Sequence, residues 1–273
     1  MGRTRVRIAG AVAAGVVAVS GLLVGGRMLL TRQAAIARRR IGKPLGEDSL
    51  DADRVWRRSF EGDPIELLML GDSLAAGLGA SRRKETLGGR LAKGLGRRMH
   101  RPVRLRTVAV VGSESPDLDA QIDALPAQAP VHVAVIVVGG NDVTHRLPVA
   151  VSAGHLNTAI GRLRARGIEV VVGTCPDLGA LRAVPQPLRR VASSLSRRLA
   201  DVQAETAERA GAEPVDLRRA VGPLFFDEPE EMFSLDRFHP SPLGYRRTAE
   251  ALLPALCRAA EAALSSTSRS APR

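Results

Sequence analysis

Ser73, Asn141, Asp236 and His239 are the residues of this chain whose types and surroundings could together do nucleophilic chemistry. Ser73 lies in the run Leu67-Leu68-Met69-Leu70-Gly71-Asp72-Ser73-Leu74-Ala75-Ala76-Gly77-Leu78-Gly79, an apolar strand that breaks at Gly71 into small residues. In an open α/β sheet such a break, at the carboxyl end of a strand, opens onto the crevice where ligands bind. The helix N-terminus that follows favours developing negative charge. The stretch therefore predicts Ser73 as a nucleophile. A serine hydroxyl needs a base to take its proton, and histidine titrates in the useful range. The segment Asp236-Arg237-Phe238-His239 offers that base. Three positions earlier it offers a carboxylate to accept the Nδ1 proton, fix the tautomer and stabilise the imidazolium. A tetrahedral oxyanion needs donors, and the N–H groups of Ser73 and Gly112 and the side-chain amide of Asn141 are of the right type.

The elements that must position these groups can be read from periodicity. Short apolar runs at Ile65–Leu70, Val103–Val111, Val131–Val138, Ile168–Gly173 and Glu213–Asp216 predict strands. Helical stretches near Thr86–Met99, Leu118–Leu125, Val151–Arg166, Leu188–Ala210 and Leu243–Ala263 separate or follow them. β-branched runs alternating with helices imply parallel βαβ units, with a sheet covered on both faces. All strands of a parallel sheet end at one edge, so Ser73, Gly112 and Asn141 can converge without adjacency in sequence.

Other candidates read as structural. Asp72 and Asp142 suit turns, and Arg237 suits an exposed position. His100, His132, His145 and His155 show no metal-ligand spacing, although His145 follows closely on the Asn141 loop. The Thr174–Pro187 stretch, with three prolines, is expected to wall the pocket. Cys175 and Cys257 fit buried free thiols better than a pair.

The net charge of +12 is unevenly spread. Residues 1–43 carry nine basic residues and no acidic one, which leaves 31 basic against 28 acidic in the rest. With aromatics at 3% there is no stacking platform for single strands, and no nucleic-acid partner is expected. Ile8–Gly26 is an uncharged run of 19 residues flanked by arginines, about the length that spans a bilayer as a helix. A single-pass anchor over residues 8–26 is expected, with a cleaved signal peptide as the alternative. The flanking basic residues lean towards a cytoplasmic body without deciding the side of the membrane. The domain expectation is 1–30 as anchor or signal, 31–62 as a charged juxtamembrane linker, 63–264 as the catalytic domain and 265–273 as a disordered tail.

Four ordered stretches carry a resemblance: Gly71-Asp72-Ser73-Leu74, Gly112, Gly139-Gly140-Asn141-Asp142 and Asp236-Arg237-Phe238-His239. They resemble the four blocks of the SGNH hydrolases, the GDSL esterase and lipase superfamily, over roughly residues 64–263, and in particular its bacterial membrane-anchored or exported members. The lipase elbow G-x-S-x-G is absent around Ser73, which sets the chain apart from the α/β-hydrolases. The resemblance implies a flavodoxin-like three-layer α/β/α fold with a five-stranded parallel sheet, here preceded by a hydrophobic N-terminal helix. It implies Ser73, His239 and Asp236 as the catalytic set, Ser73, Gly112 and Asn141 as oxyanion donors, and hydrolysis of acyl esters without metal or organic cofactor. The substrate would be a lipid, sugar or cell-envelope ester. An acyltransferase using the same site, and a membrane-tethered binding module without turnover, are the alternatives.

Overall fold

The computed structural model describes residues 24–270 apart from Glu47 and Ala127. Helix α1 covers residues 24–41. There follow β1 (Val55–Trp56), β2 (Ile65–Gly71), α2 (Ser73–Ala76), α3 (Leu87–Met99), β3 (Val103–Thr107), α4 (Leu118–Asp123), β4 (Val133–Val137), α5 (Gly140–His145) and α6 (Val149–Ala165). The chain continues through β5 (Glu169–Gly173), α7 (Leu188–Arg209), β6 (Glu213–Val215), α8 (Leu217–Ala220), α9 (Gly222–Asp227), α10 (Pro229–Met232) and α11 (Pro242–Ser270).

Side chains on a strand alternate between its two faces, and β2 shows what this does here. Ile65, Leu67 and Met69 enter one core with Leu91 of α3 and Leu252 and Leu256 of α11. Leu68 and Leu70 enter the other core with Leu118 of α4 and Leu156 and Ile160 of α6. Each of these side chains is at most 1% exposed, and burial of one such group stabilises by roughly 1.5–3 kcal/mol. The result is a sheet between two helical layers. Helix α3 is amphipathic, burying Leu87, Leu91 and Leu95, and begins where Thr86 Oγ1 accepts the Gly89 N–H at 3.1 Å.

The strand order is β1-β3-β2-β4-β5-β6. The last five strands are mutually parallel, in the flavodoxin-like order. The chain reverses direction across the sheet between β2 and β4, so a crevice opens beyond their carboxyl ends. The expected five-stranded, purely parallel sheet is corrected at its edge. Val55–Trp56 pairs antiparallel with Val103–Arg104, giving a mixed sheet of six strands. A two-residue strand is too short to show alternation.

The membrane anchor, and with it the membrane partner and localisation expected from residues 8–26, is also corrected. Among the described residues no helix is long and apolar enough to cross a membrane. Residues 8–23 of the expected span lie outside the described residues. Its last residues open α1, which carries Arg27, Arg32, Arg38, Arg39 and Arg40. That helix rests against the domain, with Gln33 and Ala37 buried. A helix studded with arginines and docked on protein is a surface element. Helix α11 runs to Ser270, into the segment expected as a disordered tail.

Candidate active site

The β2–α2 junction depends on Gly71. Its φ is +127°, and a Cβ there would stand 1.8 Å from the Val137 carbonyl oxygen. The close approach lets the Asp72 N–H donate to that same oxygen at 3.0 Å, so the ends of β2 and β4 are drawn together. Gln121 of α4 holds the same junction from the other side. Its Oε1 accepts the Gly71 N–H at 2.8 Å, and its Nε2 donates to the Gly71 carbonyl at 2.8 Å and to Ser113 Oγ at 3.1 Å.

Ser73 is the first residue of α2 and is 7% exposed. Asp72 caps that helix, its Oδ1 accepting the Leu74 N–H at 2.9 Å. The Gly140 N–H also favours the charged form of this carboxylate, so Asp72 faces both the Ser73 turn and the loop that carries Asn141. Burial pushes the Asp72 carboxyl up to about 6, with the Leu74 N–H and His239 opposing and Asp142 reinforcing the rise.

His239 comes from the loop before α11. Its Nε2 lies 2.9 Å from Ser73 Oγ and its Nδ1 lies 2.5 Å from Asp236 Oδ2. The other carboxylate oxygen, Asp236 Oδ1, accepts the N–H groups of Phe238 and His239, each at 3.0 Å. Burial raises the Asp236 carboxyl, but the hydrogen bonds from His239 and the Phe238 N–H outweigh it. Its pKa is held below the usual carboxylate range. The loop is fixed at its base by Tyr245, a buried phenol that donates to the Leu78 carbonyl at 2.6 Å.

Asn141 and Gly112 sit on two loops that are stitched together. Asn141 Nδ2 donates to the Ser113 carbonyl at 2.9 Å, and Asp142 Oδ1 accepts the Ser115 N–H at 3.0 Å. Outermost, His145 Nδ1 meets Glu114 Oε1 at 2.5 Å. Gly112 lies at the tip of an exposed turn with φ +89° and open space where a side chain would be. The N–H groups of Ser73 and Gly112 have no acceptor among the described residues, and the Asn141 amide engages one. The structure thus joins Ser73, His239 and Asp236 by direct hydrogen bonds. It joins Asn141 to the Gly112 turn through the Ser113 carbonyl.

Beside Ser73 and His239 lies an apolar cavity of about 80 Å³. Leu178 and Leu181 of the segment after β5 form one wall, and Leu217, Val221 and Phe225 of α8, α9 and their junction form another. Phe238 packs edge-on against the His239 ring at 4.9 Å. The expected pocket wall from the Thr174–Pro187 stretch is there, through Pro176, Asp177, Leu178, Ala180 and Leu181. Both cysteines are free thiols, and burial pushes the Cys175 thiol well up.

Sequence reasoning missed the bracing amides. Gln121 is one. Gln203 is another, taking the Cys175 N–H at 2.7 Å and giving to the Val138 carbonyl at 2.9 Å, so it joins the ends of β4 and β5. A glutamine on the inward face of a helix was the only available signal. His145 proves to face Glu114 across the two loops, a contact that spacing does not encode.

A family model described as the GDSL-like Lipase/Acylhydrolase family matches residues 69–247. The GDSL-like esterase Rv1075c of Mycobacterium tuberculosis (strain ATCC 25618 / H37Rv) is 40% identical over 255 residues, covering 89% of this chain and 81% of that protein. Among solved structures, a putative SGNH hydrolase from Slackia heliotrinireducens aligns with a TM-score of 0.55 at 22% identity, covering 71% of this chain and 100% of the other. The acetylxylan esterase Axe2 from Geobacillus stearothermophilus aligns with a TM-score of 0.56 at 19% identity, covering 71% and 95%. An extracellular lipase from Streptomyces rimosus gives 0.55 at 18% identity, covering 71% and 99%. These three likenesses concern the fold; the family model and the mycobacterial relative concern the chemistry. The chain belongs to the GDSL-like lipase/acylhydrolase family, with the SGNH hydrolase fold, and is a hydrolase acting on esters.

Proposed function

We propose that the protein is a serine esterase that cleaves carboxylic esters through an acyl-enzyme on Ser73. The observation that carries this reading is the unbroken chain from Ser73 Oγ through both ring nitrogens of His239 to Asp236, with contacts of 2.9 and 2.5 Å. Ser73 Oγ attacks the ester carbonyl carbon as His239 Nε2 takes its proton. Asp236 holds the ring in the tautomer with the proton on Nδ1 and stabilises the imidazolium that forms.

The tetrahedral intermediate carries its charge on the former carbonyl oxygen. The Ser73 N–H, the Gly112 N–H and the remaining Asn141 amide proton are donors without competing acceptors and serve as the oxyanion hole, where each donor is worth on the order of 10²–10³ in turnover. Collapse breaks the bond to the alcohol, which leaves with the proton from His239. A water then gives its proton to His239 and attacks the acyl carbon, releasing the carboxylic acid and restoring Ser73. The apolar cavity beside Ser73 suits the hydrocarbon part of the acyl group, because burying apolar surface there is favourable and no polar partner is demanded.

The experiment is turnover of a series of p-nitrophenyl esters by the full chain. Hydrolysis by the parent protein and its loss in the Ser73→Ala and His239→Ala variants is expected. Equal rates in parent and variants would remove the reading.

A further inference from the structure

Helix α1 was expected to belong to an anchor and linker, yet its inward face meets the segment that walls the apolar cavity. Gln33, 7% exposed, makes two hydrogen bonds to backbone there. Its Nε2 donates to the Gln186 carbonyl at 2.5 Å, and its Oε1 accepts the Leu188 N–H at 2.9 Å. The first N–H groups of a helix have no partner within it, so Gln33 caps the start of α7 from another part of the chain. One turn on, Ala37 packs in a cluster with Leu178, Leu181 and Val184. Further along the same face, Arg40 Nη1 donates to the Ala183 carbonyl at 3.5 Å.

Leu178 and Leu181 are both in that cluster and in the cavity wall. From the other side the wall is held where the Leu178 N–H donates to Ser196 Oγ at 3.1 Å. Between Leu181 and Leu188 the side-chain hydrogen bonds that reach this main chain from another element come from α1, through Gln33 and Arg40, while the segment's own Arg182 Nη2 donates to the Phe226 carbonyl of α9 at 3.0 Å. A coil segment held by few outside hydrogen bonds opens locally at lower cost than a helix or strand, and a coil wall bordering an apolar cavity alters the cavity when it moves.

We propose that α1 is a working part of the active site: by clamping residues 183–188 through Gln33 it fixes the Pro176–Leu181 wall and sets which acyl chains the cavity accepts. Gln33 is a positioning residue in this account, touching neither substrate nor the reacting atoms. The acyl-selectivity half of the proposal rests on the esterase reading above. The clamp itself does not.

The test uses full-length Gln33→Leu, which keeps the bulk and removes both hydrogen bonds, and Gln33→Glu, which keeps the acceptor for Leu188 but not the donor to Gln186. Amide hydrogen exchange is followed over residues 176–188, together with kcat and KM for p-nitrophenyl acetate, butyrate and octanoate. Exchange in that segment is expected to speed up about tenfold in Gln33→Leu and less in Gln33→Glu. The dependence of kcat/KM on chain length should flatten, mainly through KM, in the same order. Unchanged exchange would overturn the clamp, whether or not esters are substrates. Faster exchange with a chain-length profile superimposable on the parent's would overturn the link to selectivity. Absence of turnover by the parent protein would instead count against the esterase reading, and the exchange result would still decide the clamp.

Discussion

The Asn141 side-chain amide donates to the Ser113 carbonyl at 2.9 Å. That bond orients the amide and ties the asparagine loop to the turn that carries Gly112; in the proposed mechanism the second amide proton meets the oxyanion. Asn141→Ala should therefore lower kcat by about 10²–10³ with a smaller change in KM, since the contact forms fully only in the transition state. Steady-state kinetics on a good p-nitrophenyl ester checks this, and a drop confined to KM would contradict it.

Asp236 accepts from the His239 ring and from two backbone N–H groups. Asp236→Asn keeps the size of the side chain but places an amide against Nδ1, favouring the wrong tautomer. A loss of kcat of roughly 10²–10⁴ is expected. The lowered pKa of Asp236 also means that its contribution to stability is present above about 3.8 and is lost as pH falls through its folded value. Thermal melts of parent and variant should converge on acidification below pH 4.

Asp72 behaves in the opposite sense. Its carboxyl is raised from 3.8 to about 6 by burial, so the folded state holds the proton more tightly than the unfolded chain. Its contribution is greatest below pH 3.8 and is lost as pH rises through about 6. The difference in stability between the parent and Asp72→Asn should shift in favour of the variant by about 2 kcal/mol between pH 4 and pH 7. Denaturant melts at a series of pH values measure it, and a difference independent of pH would contradict the assignment.

Gly71 admits no side chain. At φ +127°, with the Val137 oxygen 1.8 Å from where a Cβ would stand, Gly71→Ala must separate the ends of β2 and β4. A loss of stability of about 3 kcal/mol or more is expected, visible as a fall in Tm or in soluble yield.

The parts of the site that were legible in the sequence are those whose chemistry admits few residue types. A serine at a strand break, an Asp–x–x–His step and an asparagine after paired glycines each narrow the choice, and their order narrows it further. The parallel strands were legible because β4 and β5 are runs of β-branched residues buried on both faces. Strand β1 was not, because two residues at a sheet edge carry no period. Helix α1 was misread because alanine, leucine and arginine beside an apolar run suit a membrane flank as well as a docked helix. The contacts that decide between these readings, Gln33 with Gln186 and Leu188, join residues about 150 positions apart. Gln121 and Gln203 were illegible for a related reason, since a buried amide takes its meaning from the backbone groups it meets.

The central claim is that the Ser73 hydroxyl, activated by His239, becomes covalently acylated. Intact-protein mass spectrometry and peptide mapping after rapid quench with a p-nitrophenyl ester test it most directly. The account predicts an added acyl mass on the peptide containing Ser73, appearing with a burst of p-nitrophenol and absent from Ser73→Ala. Ester turnover at the parent rate in Ser73→Ala, or an acyl adduct mapping to another residue, would contradict it.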